Sequence, residues 1–521
     1  MRMMRALGLI VAAAILPFSA VRAEWREATS EHFVVVSEGS ERELVRMSQQ
    51  LEAVHWLLLR ATNMPDSTDG RRVRIYMLGG VSDIIRNAGL PANSPAVAIY
   101  FHSPLQPMAL ASRSRGSKDL FHEYAHHFMF EYMGVSVPPW FIEGFAEVVS
   151  TASFEIEGAI TYGKVANERY NELHFGEWTP TARMFAERSS ENGHAGVASY
   201  GQYWLTSHYL LLAPERRGQL RVFINALNSG QSSDEAALSS FPGGVDQLDN
   251  DLRSYLRRAD FRYRPVPLPA DVIRTPAIRT LRPGEAAALP LEMEANRTHE
   301  TEAVAALETR VAALAIQYPA EPAIQALHSA VLYAAERWQD AVAAADRGLA
   351  IDVTHARCNA LRAMSMLSVA NADGGIHAET RSQALAYLQR ARDSDAREPS
   401  VTAAERMIGN VVERANISNT HTNTHAVATL HENLPVLTRN QSDRLRTAYL
   451  LISSDNNAAR LSLIALATEA PGTGLESLAN RLIAWIDGDR RGPLPRIEWA
   501  HASPETDEEK TPDRPSASGN E

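Results

Sequence analysis

The sequence predicts an α+β domain followed by an all-α domain, and three observations lead there. Short β-branched runs are interspersed with amphipathic helical stretches over the first half of the chain. A proline-dense stretch follows at 265–293, and beyond it the composition turns to alanine, leucine and arginine in paired helical segments. A chain of 521 residues is too long for one core, so two or three domains are expected. Apolar content of 45% beside 22% charged residues argues against wholesale disorder. The 62 acidic and 51 basic side chains are spread along the chain, which argues against nucleic acid as a partner.

Residues 1–23 read as a secretory signal peptide. Arg2 and Arg5 precede an apolar stretch from Ala6 to Phe18, and Val21-Arg22-Ala23 presents small residues where a signal peptidase reads. Cleavage after Ala23 would start the mature chain at Glu24. The alternative is an uncleaved anchor, but the run is short for a span, and no later stretch approaches the roughly 18 apolar residues a span needs. No membrane span is expected once the signal is removed. Cys358 is the single cysteine, so no internal disulfide forms, and its distance from the signal junction removes lipid attachment there. A periplasmic or secreted location follows.

Past the signal, His32 to Val36 is a β-rich run, and Ser40 to Thr62 has apolar residues at helical intervals: Leu44, Met47, Leu51, Val54 and Leu58. The turn formers of 63–70 lead to Val73–Leu78, which alternates as a half-buried strand does, and Val97 to Phe101 is a third strand. Ser117 is the expected N-cap of a helix from Lys118 to Met133, with Asp119 placing negative charge in the first turn. Leu120, Phe121, Tyr124 and Phe128 supply its buried face.

That helix carries His122-Glu123-Tyr124-Ala125-His126. Residues four apart share a helix face, so His122 and His126 aim two imidazole nitrogens at one point while Glu123 leans toward the same space, an arrangement that suits zinc. Catalytic zinc takes three protein donors and leaves a fourth position open. Glu143 is the candidate third donor. The intervening residues allow the first helix to end near Gly134, a turn through Pro138-Pro139, and a second helix packed back on the first, with Gly144 and Ala146 permitting close approach. Glu147, one turn beyond Glu143, is placed to accept a hydrogen bond from a ligand histidine, and is the alternative third ligand. His127 points about 100° away from His126 and is left out of the site.

His122, Glu123, His126 and Glu143, with Trp140 before the glutamate and Gly144-Phe145-Ala146 after it, resemble the gluzincin branch of the zinc metallopeptidases. With its secretion signal and helical tail the chain looks most like the bacterial peptidase MA-like proteins. Specific motif identity covers about residues 117–150, and the remainder is architectural. The resemblance implies a zincin-like metallopeptidase domain over 24–264, Zn2+ held by His122, His126 and Glu143, and a general base at Glu123. It further implies a sheet edge that receives an extended peptide or protein substrate, and a tyrosine or histidine from a later helix that stabilises an oxyanion. Tyr200, at the start of a helical pattern over Ala198 to Leu212, resembles that tyrosine. An aromatic stripe of Tyr200, Tyr203, Trp204, His208 and Tyr209 filling a helical core is the other reading, and both stay open here.

A further helical pattern runs over Glu177 to Arg188, and Val245 to Tyr263 closes the domain. Pro265, Pro267, Pro269, Pro276, Pro283 and Pro290 suit a semi-rigid linker over 265–293. Over 294–415 the segments Ala323 to Ala335 and Trp338 to Ile351, then Ala356 to Ala370 and Ser382 to Ala391, pair in a pattern that resembles tetratricopeptide repeats and offers a surface to a protein partner. Their period of 43 exceeds the usual 34 by a loop-like insertion at Asn371 to Glu379, and Gly348 and Val353 depart from the repeat; simple bundle packing is the alternative. A helical region over 416–487 and a disordered tail over 488–521 complete the chain.

The functional expectation is a zinc-dependent peptidase. Two others stand beside it: an inactive scaffold that binds a partner through its helical repeats, and a zinc amidase acting on cell-wall peptides. The scaffold is the less expected because every residue the chemistry needs is present, whereas a decayed enzyme is free to lose Glu123.

Overall fold

Val34-Val35-Val36 puts a β-branched residue at three successive positions, a pattern that suits a strand buried on both faces. In the computed structural model this run lies inside a mixed six-stranded sheet. Described are residues 24–408, with breaks at 65, 67–70, 95, 102, 104–105, 134–136, 156–157, 187–197, 229–230, 299–300, 373–375 and 406, and isolated positions at 463, 479 and 482–483. The expected signal 1–23, helical region 416–487 and tail 488–521 lie outside the described residues, those isolated positions aside.

The strands are β1 (Arg26–Thr29), β2 (Phe33–Ser37), β3 (Val73–Leu78), β4 (Ala98–Phe101), β5 (Met108–Ser112), β6 (Ser153–Phe154), β7 (Ala159–Tyr162), β8 (Arg264–Pro267) and β9 (Ala277–Thr280). The large sheet runs β4-β5-β3-β2-β1-β9, while β6, β7 and β8 form a small antiparallel one. Strands β2, β3 and β5 are parallel, and β4, at one edge, is antiparallel to β5. Register places Val35, Ile75 and Ala109 side by side on one face and Val36, Tyr76 and Leu110 on the other. Strand β5, Met-Ala-Leu-Ala-Ser, was not expected, since alanine and serine carry little β preference.

On the first face lie α1 (Glu41–Thr62) and, beyond α2 (Val81–Ala88), α3 (Lys118–Tyr132). Ser40 and Glu43 form a capping box that starts α1, and Asn63 ends it in the left-handed region at φ 55°. Ser117 precedes α3 as expected, but its side chain makes no capping hydrogen bond. Next come α4 (Pro139–Ser150), α5 (Asn167–Phe175), α6 (Thr181–Phe185), α7 (Tyr200–Leu212), α8 (Gln219–Asn228), α9 (Ser233–Ser240) and α10 (Gly244–Arg258). Pro139 sits at the first position of α4, where its missing N–H costs no bond. The helix expected over Glu177 to Arg188 begins only at Thr181, as α6, because Pro180 holds the chain extended just before it, and its last two expected residues lie outside the described ones. Gly144 also departs from expectation. Its tightest approach is to α7, where a Cβ would lie 2.2 Å from the Tyr203 carbonyl oxygen, and the three atoms nearest that Cβ all belong to α7.

The stretch 265–293 is not a linker. Strand β8 pairs with β7, β9 pairs with β1 at the far edge of the large sheet, and α11 (Pro283–Ala295) follows with Pro283 at its first position and Pro290 inside it. The prolines pointed to a connector, but burial of Leu289, Leu291 and Met293 outweighs the hydrogen bond that Pro290 removes. Leu289 and Met293 pack with Tyr76, Leu78, Met108 and Leu110 on the second face of the sheet, so Val73–Leu78 is covered on both faces and not half-buried. Tyr76 donates its hydroxyl to Glu292 at 3.1 Å across this contact.

The other side of α11 contributes Ala288 and Leu291 to a core with α12 (Thr301–Gln317) and α13 (Pro322–Ala334). Helices α14 (Trp338–Ile351), α15 (Ala356–Ala372) and α16 (Ala378–Asp395) continue as pairs. Gly348 of α14 admits Cys358 of α15, whose Sγ would lie 2.4 Å from an added Cβ. Of the insertion expected at 371–379, the first two residues extend α15 and the last two begin α16, while Ile376 and His377 stand outside both helices. The end of α16 returns to the sheet domain, where Asp395 pairs with Arg72 at 2.5 Å and Arg397 with Glu31 at 3.1 Å. The boundary expected at 264 therefore cuts through a shared core.

Candidate metal centre

Helical spacing alone brings His122 and His126 onto one face of α3, and α4 carries Glu143 to the same place. The two Nε2 atoms lie 3.1 Å apart, and the Glu143 carboxylate stands 3.5 Å from His122 and 3.8 Å from His126. Donors bound to one tetrahedral zinc at about 2.0–2.2 Å are separated by roughly 3.3–3.4 Å, so these three fit such an ion without rearrangement of the helices. The side chains are 15%, 13% and 27% exposed, which leaves the converging atoms reachable from solvent.

Behind the donors, Glu147 stands 3.4 Å from His122 Nδ1 and accepts a hydrogen bond from Arg169 at 2.7 Å. A proton held on Nδ1 by this carboxylate leaves the Nε2 lone pair free for a metal. Arg169, on α5, also lies over the Tyr200 ring with its guanidinium carbon 5.0 Å from the centroid. It thus ties the carboxylate to the tyrosine. Sequence reading missed Arg169, which sits in a helix with no fully buried residue and no apolar stripe to announce it.

Glu123 lies on α3 beside the histidines, and the backbone N–H of Tyr100, on edge strand β4, donates to its Oε2 at 2.8 Å. Burial raises its carboxyl to about 7, with Glu143 adding to the rise and His122 opposing it. For His122, burial acts downward but the hydrogen bonds to Glu143 and Glu147 outweigh it and lift the imidazole to about 10, so a metal bound at Nε2 would displace the proton there and leave the one on Nδ1 facing Glu147. Burial takes His126 the other way, to about 4, helped by the charge on His122. Burial acts to raise Glu147, yet its bonds to His122 and Arg169 hold it at about 2.

Tyr200 opens α7, whose N-cap Ser199 accepts from the Gln202 N–H. Its phenol is raised to about 12, first by burial and then by the charge of Glu143, with Glu147 and Glu123 contributing, so this ring lies within the field of the centre. The other aromatics of α7 have packing roles. Tyr203 and Trp204 are buried, and His208 contacts the Gly163 carbonyl oxygen at 2.8 Å and the Tyr255 hydroxyl at 2.9 Å. Trp140 is a packing residue too, stacked on Phe185 at 4.8 Å, and His127 hydrogen-bonds the Tyr100 hydroxyl at 2.9 Å. Comparison with protein-family models gives no match, and no curated protein or solved structure is detectably similar to the chain.

Proposed function

We propose that this chain is an exported zinc-dependent peptidase of the gluzincin kind, with a zincin-like domain completed by its helical region. The observation that carries this is the convergence of His122, His126 and Glu143 within one small volume, with Glu123 beside them. These three residues would hold the zinc ion, which when bound polarises a carbonyl and acidifies water as a Lewis acid.

The remaining work falls to the chain's own groups. Glu123, raised to about 7, is poised to take a proton from the attacking water and return it to the leaving amine. The Tyr100 N–H keeps that carboxylate oriented. Tyr200, still a hydroxyl donor at neutral pH and within reach of the charge on Glu143, would stabilise the oxyanion of the tetrahedral intermediate. Strand β4, at the sheet edge, would offer its backbone groups other than the Tyr100 N–H to an extended peptide substrate.

Two substitutions test this together. Glu123→Gln keeps the size of the side chain and removes the base, so zinc content should stay near one equivalent at this centre while hydrolysis of an unstructured protein falls by about 10²–10⁴. Glu143→Ala removes a ligand and should lose both zinc and activity. A wild-type chain that binds zinc, cleaves nothing and is unaffected by Glu123→Gln would instead be a scaffold. Full zinc in Glu143→Ala would move the third ligand to Glu147.

A further inference from the structure

Among the described residues a second set of three donor atoms converges, on the opposite side of α3 and away from the proposed peptidase chemistry. It draws on His32 in the turn between β1 and β2, His55 on α1, and Asp66 in the segment after α1. His32 Nε2 and His55 Nε2 stand 3.3 Å and 3.6 Å from the same Asp66 oxygen, and the two rings face each other with centroids 3.9 Å apart. Both histidines are buried, at 6% and 2% exposure, while the Asp66 side chain is 46% exposed, so the cluster opens to solvent on one side.

The back of each ring is anchored. His32 Nδ1 bonds the Glu52 carboxylate at 2.7 Å, and the other oxygen of that carboxylate accepts the His32 backbone N–H at 2.8 Å. His55 Nδ1 bonds the Tyr124 hydroxyl at 2.6 Å. Tyr124 lies two residues beyond His122, about 200° around α3, and so on its reverse side. An imidazole whose Nδ1–H is held by a carboxylate or hydroxyl presents Nε2 as a metal ligand. His55 Nε2 is buried and makes no hydrogen bond, the Asp66 oxygen at 3.6 Å lying beyond that range. A buried ring nitrogen aimed at a carboxylate and a second imidazole lacks only an ion that satisfies all three.

We propose that His32, His55 and Asp66 form a second metal site, one that takes a divalent transition metal of zinc's type. Two imidazoles and a carboxylate are borderline donors suited to such ions and poor ligands for magnesium or calcium. The site clips together the β1–β2 turn, α1 and the segment that leads to β3, and its anchor Tyr124 belongs to the helix that presents His122 and His126. The three donors leave a fourth position for water on the solvent side at Asp66, and the site lies away from Glu123, so it holds these elements together and takes no part in the proposed reaction.

Zinc stoichiometry tests this on the full chain, stripped with chelator, reloaded with Zn2+ alone, dialysed and measured by mass spectrometry. His122→Gln/His126→Gln should still hold one zinc, with a Tm raised by about 5 °C on loading. Adding Asp66→Asn to that variant should remove its one zinc and the Tm rise, and in the wild-type background Asp66→Asn should lower the zinc count by one. Asp66 is exposed enough for this change to leave the fold intact, which circular dichroism verifies. Should the wild type hold one zinc that His122→Gln/His126→Gln retains and Asp66→Asn loses, this site stands and the peptidase centre fails. Zinc content unchanged by Asp66→Asn, or absent from a folded His122→Gln/His126→Gln, overturns the proposal and leaves an ion pair between His32, Glu52 and Asp66.

Discussion

Replacing Gly144 by alanine tests the link between packing and the candidate centre. An added Cβ would lie 2.2 Å from the Tyr203 carbonyl oxygen, 2.7 Å from its carbon and 2.2 Å from Ser207 Oγ. Ordinary contact begins near 3.3–3.5 Å, so α4 and α7 must separate by about 1 Å. The serine can rotate away, but the backbone carbonyl cannot. Overpacking of this kind costs typically 1–3 kcal/mol, and a clash with backbone lies toward the upper end. Alanine returns about 0.5–1 kcal/mol as the better helix former, which leaves a net loss of roughly 1–2 kcal/mol.

The same displacement carries Glu143, whose carboxylate now stands 3.5 Å and 3.8 Å from the two histidines. Metal donors tolerate about 0.2 Å, so zinc affinity at this centre should fall by about 10–100-fold. Urea unfolding measures the first effect, and competition with a chromophoric chelator the second. The double variant with Ser207→Ala should recover little, since the Tyr203 carbonyl remains. Gly144→Ala within 0.5 kcal/mol of the wild type and with unchanged zinc affinity would refute the contact between α4 and α7; full rescue by Ser207→Ala would show that the backbone is not the obstacle.

Two further outcomes follow from the packing. A fragment ending at Arg264 loses β9 and α11 and uncovers Tyr76, Leu78, Met108 and Leu110, so it should aggregate or unfold without cooperativity; a soluble fragment with a sharp transition would show that the second face of the sheet needs no cover. His208, held neutral by burial with a pKa near 4 against about 6.5 when unfolded, contributes stability that is complete above pH 6.5 and lost as the pH falls toward 4. Its share is about 1.4 kcal/mol per pH unit within that window, so the slope of stability against pH should flatten by one proton in His208→Gln, and equal slopes in both proteins would mean that folded His208 takes up the proton freely.

Much of the candidate site was legible in the sequence, because its parts are local. Four-residue spacing puts His122 and His126 on one face in any helix, Pro138-Pro139 marks where the next helix starts, and Glu143 and Glu147 then follow one turn apart on it. The β-branched run of β2 and the apolar period of α1 announced themselves for the same reason. What stayed hidden were partners separated along the chain by distances that no period spans. Arg169 meets Glu147 and Tyr200 only because α5 packs beside α4 and α7. His32, His55 and Asp66 occupy a turn, a helix and a loop with nothing in common but the place where they meet. The proline-rich stretch shows the limit most plainly. Its local chemistry, read alone, describes a connector, whereas the tertiary structure makes it two strands that extend existing sheets and a helix that covers the second face of the large one, where burying Leu289 and Met293 outweighs the hydrogen bond lost at Pro290.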